Sequence, residues 1–185
     1  HRVHQGVAHV SARIAVVDYG AGNLVSIRNA LTLLGAEPSV AATPEDLRGV
    51  EVIVVPGVGA SGPAMERLDR AGLTPVIRGA VADGAWLVGI CRGVQLVFEA
   101  AEEDGAGLLG GLEGRVTPIA DAPRLPHIGW NQLERVRPHA LLDGVPDGAP
   151  ASFVHSYVAR PEDADIVITE TEHGSRFPSI VARDR

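Results

Sequence analysis

The sequence has one cysteine, no lysine and no long apolar run. Each lack excludes something. One cysteine cannot close an internal disulfide, so nothing points to an oxidising compartment, and a cytoplasmic location is expected. No apolar stretch reaches the roughly 20 residues that a membrane-spanning helix needs. All sixteen basic residues are arginine, a bias to which no mechanism attaches. The net charge of -7 argues against nucleic acid as a partner, because phosphate binding needs clustered cations. The seven histidines are scattered and no paired Cys/His spacing occurs, so no metal site and no cofactor is expected.

What is present suits one domain, with room for insertions. The chain has 185 residues, 45% of them hydrophobic and 21% charged, an ordinary profile for a packed core without staples. Residues 1–12 lack the apolar core of a secretory signal and read as a frayed or foreign extension. The folded domain is expected over 13–185.

Strand and helix signals then alternate. "ARIAVVDYG" is a short apolar run ending in Asp18 and Gly20. "NLVSIRNALTLLG" follows, with Leu24, Ile27, Leu31 and Leu34 on one helical face and Gly35 as the stop. "EPSVA" is a weak strand. "TPEDLRG" offers Thr43 as N-cap, Pro44 at the first helical position and acids in the first turn. "VEVIVVPGVGA" is the clearest strand. "GPAMERLDRAGLTPVIRGAVADG" reads as one or two helices. "AWLVGI" is a further strand, and "CRGVQLVFEAAEE" a further helix. This alternation implies a parallel sheet covered on both faces, with the loops after Val17, Val55 and Ile90 at its ligand-binding edge. From Gly105 onward "GRVTPI", "ASFVHSYVA", "DIVITETE" and "SIVAR" suggest added antiparallel strands.

The cysteine sits in "LVGICRGVQ", with glycine two positions before and two after. A strand entering a helix through a sharp turn strains the middle residue, and flanking glycines let the backbones pass closely. Cys91 would stand exposed at the sheet edge. A helix N-terminus behind it would favour thiolate over thiol, and the Arg92 N–H would face an oxyanion. This is a nucleophile elbow with cysteine in the serine place. The competing reading, suggested by residue type alone, is a small cysteine packed in a core. The glycines and the strand-to-helix position weigh against it.

"VVPGVGASG" breaks a strand into glycine. It lacks the lysine and spacing of a phosphate loop. Such a loop can aim N–H groups at a developing oxyanion, or be a plain turn. His155 and Ser156 lie between apolar residues in "FVHSYVA", where a lone histidine is more often structural than catalytic. "PHIGWNQL" places His127, Trp130 and Asn131 on an expected loop, as core or as partner contacts.

Together, "IAVVDYGAGNLVSIRNAL", "PGVGASGPAM", "GICRGVQLVFE", "PHIGWNQL" and "FVHSY" resemble the class I glutamine amidotransferases. Within these they are similar to the glutaminase subunits of imidazole glycerol phosphate synthase. The stretches run in the family's order and cover most of 13–185. The resemblance implies a three-layer, flavodoxin-like α/β fold, a mostly parallel sheet with flanking helices and antiparallel strands added in the C-terminal half. It implies hydrolysis of L-glutamine to glutamate and ammonia through a thioester on Cys91. Gly57, Val58, Gly59 and the Arg92 N–H would form the oxyanion hole. Gln95 and the backbone around His155, Ser156 and Tyr157 would hold glutamine. Ammonia would pass to a (β/α)8-barrel cyclase in a heterodimer, for histidine biosynthesis. Asn23, Trp130, Asn131 and the 18–22 loop would face that partner.

Two departures stand out. Arg92 follows the nucleophile where the family has a small or aliphatic residue, and Val94 replaces a common methionine. The family's "HPE" histidine and glutamate are absent, and neither His155 nor His173 matches the base. Thiolate attack needs a proton acceptor and later a donor to the leaving ammonia. The expectation is therefore a domain that lacks its C-terminal segment, with little glutaminase activity as it stands. The alternatives are a glutaminase-like protein that only binds its partner, and another class I amidotransferase such as the pyridoxal phosphate synthase glutaminase.

Overall fold

The computed structural model describes residues 11–103, 105 and 107–183. Of the expected extension, positions 1–10 lie outside the described residues. The chain divides into two compact units, 1–97 and 98–185.

The first unit is built on four strands, β1 (Ile14–Val17), β2 (Ser39–Ala41), β3 (Val52–Gly57) and β4 (Trp86–Cys91). They form a fully parallel sheet in the order β2-β1-β3-β4. Parallel neighbours need crossovers, and helices supply them. These are α1 (Leu24–Leu33), α2 (Ser61–Arg70) and α3 (Leu73–Ala82), with the short α4 (Arg92–Leu96) after β4. The strand period of two sends Ile14, Val16 and Val54 to one face, where Leu24, Ile27 and Leu31 of α1 pack on them. Ala15, Val17, Ile53 and Val55 face the other way and are fully buried. Leu34 was expected on the α1 stripe. It lies just past the helix end, 67% exposed, and Gly35 at φ +84° completes the stop.

Gly72, at φ +71°, separates α2 from α3, so the long helical stretch is two helices. Thr43 and Asp46 form a capping box over a single 3-10 turn, Pro44–Leu47. Cover by α1 stops short of β4. Val88 and Ile90, on the α1 side of the edge strand, are 41% and 42% exposed.

The helix expected from Cys91 to Glu103 ends at Leu96. The residues beyond are drawn into extended pairing. Glu99 and Glu102 donate their N–H groups to Gly114 and Val116, and Leu108 and Gly110 return bonds to Glu99 and Phe98. Strand pairing within the second unit overrides a helix-favouring local sequence.

That unit comprises β5 (Ala100–Ala101), β6 (Gly114–Pro118), β7 (His127–Arg135), β8 (Ala149–His155), β9 (Tyr157–Pro161), β10 (Val167–His173) and β11 (Ser175–Val181). One sheet is antiparallel, ordered β11-β10-β7-β8, and a smaller one is ordered β5-β6-β9. Ile119, Val158 and Phe177 centre its core, with Phe153 against them. His127, Trp130 and Asn131, expected on a loop in "PHIGWNQL", lie in the nine-residue strand β7, paired with β8 from His127 to Leu133. Among the described residues no helix is long and apolar enough to cross a membrane.

Candidate active site

In the first unit, β4 ends on Cys91 at φ 56°, ψ −118°. A side-chain-bearing residue held there stores roughly 1–3 kcal/mol, and such strain clusters at functional sites. The neighbouring glycines make the turn possible. A Cβ on Gly89 would lie 2.5 Å from backbone atoms of Gly93 and Val94. A Cβ on Gly93 would overlap the carbonyl oxygen of Val55. The thiol is exposed, so the core-cysteine reading does not describe this residue. Five residues make α4 too short for much of a macrodipole. The electrical help expected from that helix reduces to its first-turn N–H groups, which point back toward the elbow.

The glycine loop is brought to the same corner. Gly57 pairs with Cys91 across the sheet. Its own Cβ would sit 2.7 Å from Arg92 Cβ and 2.9 Å from Tyr19 Oη. Only glycine admits so close a pass. Val58 and Gly59 continue outward, Val58 56% exposed.

Tyr19 belongs to the 18–22 loop expected to face a partner, and its tie to the glycine loop is what the motif reading missed. It is buried, and its Oη donates to the Pro56 carbonyl at 2.7 Å. Burial pushes its hydroxyl up to about 12, and Cys91 adds to this, while Arg67 and Arg92 pull the other way. It therefore stays protonated and donating at any physiological pH. It ties the 18–22 turn to the glycine loop, and Arg67 Nη1 adds a bond to Gly20 O at 2.8 Å. A hollow of about 230 Å³ lies between Gly20, Ala21, the 58–60 loop and the start of α2, with Arg67 on its wall. Its signal in the sequence was an aromatic hydroxyl directly after a buried strand.

Arg92 is half-buried and turns away into α2. Its Nη1 donates to Ser61 Oγ at 3.0 Å and to Gln95 Oε1 at 2.6 Å. Gln95, expected to meet substrate, is buried with its amide oxygen held by this guanidinium. Asn23 is exposed and caps α1, accepting from Ser26 N.

The other expected residues belong to the second unit. His155 closes β8, Ser156 follows it and Tyr157 opens β9, all half-buried. His155 Nδ1 bonds the Tyr157 carbonyl at 3.0 Å and Ile119 N–H bonds the Ser156 carbonyl at 3.0 Å. On β7, His127 faces in and is 4% exposed, while Trp130 faces out at 76%. Asn131 turns its amide inward, to the His127 ring and the Glu172 carbonyl. Among the described residues no group of three or more His, Cys, Asp or Glu side chains is placed to hold a metal ion.

The profile of the family "Glutamine amidotransferase class-I" matches residues 15–185. The chain belongs to the class I glutamine amidotransferases. It is 43% identical over 173 residues to the imidazole glycerol phosphate synthase subunit HisH of Symbiobacterium thermophilum, covering 93% of this chain and 82% of that protein. The HisH subunit of Halobacterium salinarum is 40% identical over 97% of this chain and 84% of its own length. Solved structures of the family share the fold. A crystal structure of a glutamine amidotransferase superposes with a TM-score of 0.69 at 22% identity, over 87% of this chain and 85% of that one. PurLQS from Thermotoga maritima gives 0.67 at 20% identity, over 90% and 78%. The parallel sheet with flanking helices, joined in sequence to antiparallel strands, is the family's α/β architecture in this chain.

Proposed function

We propose that this protein is the glutaminase subunit of an imidazole glycerol phosphate synthase, working in the cytoplasm in histidine biosynthesis. L-Glutamine is hydrolysed to glutamate and ammonia, and the ammonia passes directly to a cyclase partner of (β/α)8-barrel type in a heterodimer. The observation that carries the reading is the Cys91 backbone at φ 56°, held between two glycines that tolerate no side chain.

The proposed steps use that exposed thiol. Cys91 Sγ, as thiolate, attacks the side-chain amide carbon of glutamine, forming an S–C bond and placing negative charge on the amide oxygen. The N–H of Arg92 and the 57–59 backbone, which lies beside Cys91 through the Gly57 pairing, are assigned as donors to that oxygen, where fixed donors act most strongly. Collapse expels the amide nitrogen, which takes up the proton that the thiol gave up and leaves as ammonia. Water then cleaves the thioester to glutamate and restores the thiol. His155 is not assigned the proton transfers, because both its ring nitrogens are engaged within the second unit. The 155–157 backbone and Gln95 hold the glutamine. Asn23, Trp130, Asn131 and the 18–22 turn are proposed to face the cyclase. Trp130 fits best, a large apolar surface left in water on a rigid strand.

The test is glutamine turnover by the full-length protein in complex with the cyclase. Cys91→Ser should abolish hydrolysis and leave the complex intact. Full activity of the serine variant contradicts the assignment. A stable complex whose wild type turns over no glutamine supports the binding-only alternative.

A further inference from the structure

Three histidines meet in the second unit, and the proposed reaction uses none of their rings. His127 stacks on His173 with centroids 4.0 Å apart and lies 5.1 Å from His155. Phe153 and Phe177 close around them. A buried imidazole must satisfy both nitrogens. His127 Nδ1 lies 3.0 Å from His155 Nε2, His127 Nε2 lies 3.2 Å from Asn131 Nδ2, and His155 Nδ1 lies 3.0 Å from the Tyr157 carbonyl.

One assignment of protons satisfies all three bonds. Tyr157 O can only accept, so His155 Nδ1 carries hydrogen. Neutral His155 then accepts at Nε2, which requires hydrogen on His127 Nδ1. His127 Nε2 is left as acceptor for the Asn131 amide. That amide is itself fixed, since Nδ2 also donates to Glu172 O at 2.9 Å and Oδ1 accepts from Gln132 N at 2.8 Å. The chain therefore has a direction, from Asn131 through His127 and His155 to the Tyr157 carbonyl. An added proton on either ring would set N–H against N–H. Burial, reinforced by His173 and His155, holds His127 down to about 4, so the ring stays neutral. A metal does not explain the cluster. His127 and His155 bond each other directly, and His173 Nε2 is turned to the Arg124 carbonyl at 2.9 Å.

We propose that His127 is a positioning residue, which through this relay holds the His155 ring and the Tyr157 carbonyl and so sets the 155–157 backbone against which glutamine binds. This rests on the reading of 155–157 as a substrate-holding segment. The relay reaches that segment from another strand, so it acts on substrate without touching it.

The test combines kinetics and spectroscopy on the full-length protein in complex with its cyclase. His127→Phe keeps the ring and its stacking but removes both nitrogens. It should raise KM for glutamine by about tenfold or more and change kcat far less. His127→Asn, which can restore a donor near the Nδ1 position, should recover part of the loss. Imidazole nitrogen NMR of the wild type should show His127 and His155 each protonated only at Nδ1. An unchanged KM in a folded His127→Phe complex, or hydrogen on His155 Nε2 in the wild type, overturns the relay. Should His127→Phe not fold, the wild-type tautomers and His127→Asn decide. A wild-type complex with no glutamine turnover overturns the functional reading and this proposal together, whereas normal turnover with unmoved KM overturns this proposal alone.

Discussion

The two units fix their backbones by opposite means. Around Cys91 the backbone is fixed by what is missing. Gly57, Gly89 and Gly93 stand where any Cβ would strike a neighbour, and the strained thiol is squeezed out to the edge. Around Tyr157 the backbone is fixed by what is added, a chain of polar side chains, buried at His127 and half-buried at Asn131 and His155, that ends on its carbonyl. Steric exclusion does not depend on pH, whereas a neutral imidazole relay does. The elbow should therefore be indifferent to acid, and the relay sensitive to it.

The largest expected effect is loss of the nucleophile. Cys91→Ser should lower glutamine hydrolysis by on the order of a thousandfold or more while leaving thermal stability unchanged. Next comes the elbow's packing. Gly93→Ala drives a methyl into the Val55 carbonyl and should cost about 3 kcal/mol or more in denaturant unfolding, with activity lost. A stability within experimental error of wild type would break the steric half of the comparison.

Acid should separate the halves. Burial lowers the pKa of both His127 and His155 in the folded protein, the first to about 4. The folded state then binds fewer protons than the unfolded one. Stability is full above the ordinary histidine value near 6.5 and falls as pH drops from there toward 4. Amide exchange in β7 and β8 should rise over that window before exchange in β1 and β3 does. Simultaneous loosening of all four strands would contradict the assignment.

Smaller effects should come from the ties around the elbow. Arg92→Ala removes the guanidinium bonds to Gln95 Oε1 and Ser61 Oγ. It should shift glutamine KM by a few-fold and cost about 1–2 kcal/mol in unfolding, because both acceptors are buried. Tyr19→Phe removes one buried bond to Pro56 and should cost about 1 kcal/mol in unfolding.

The same contrast explains what the sequence made legible. The elbow could be read because glycine, cysteine and glycine lie within five positions, and local spacing is what a sequence displays. The capping box at Thr43 and Asp46 and the stop at Gly35 were readable for the same reason. The relay was hidden because Asn131, His127 and His155 come from two strands, with 28 residues separating the paired rings. Only the β7–β8 register brings them opposite each other. The strand β7 itself was masked by Pro126 and Gly129, which mark a loop locally. Pairing on both sides, to β8 and β10, overrules them. The early end of α4 has the same cause, a long-range pairing of 99–102 with β6 that the local sequence does not announce. Arg92 showed in the sequence as a departure, but its reach to Ser61 and Gln95 needed the fold.

The central claim is that Cys91 is a nucleophile presented for acyl transfer. An electrophilic glutamine analogue, added to the full-length protein with its cyclase and followed by peptide mass mapping, tests it most directly. The account predicts one covalent adduct, on Cys91, formed far faster than with a free thiol and suppressed by glutamine. An adduct on another residue, or modification of Cys91 at the free-thiol rate with no protection by glutamine, would contradict it.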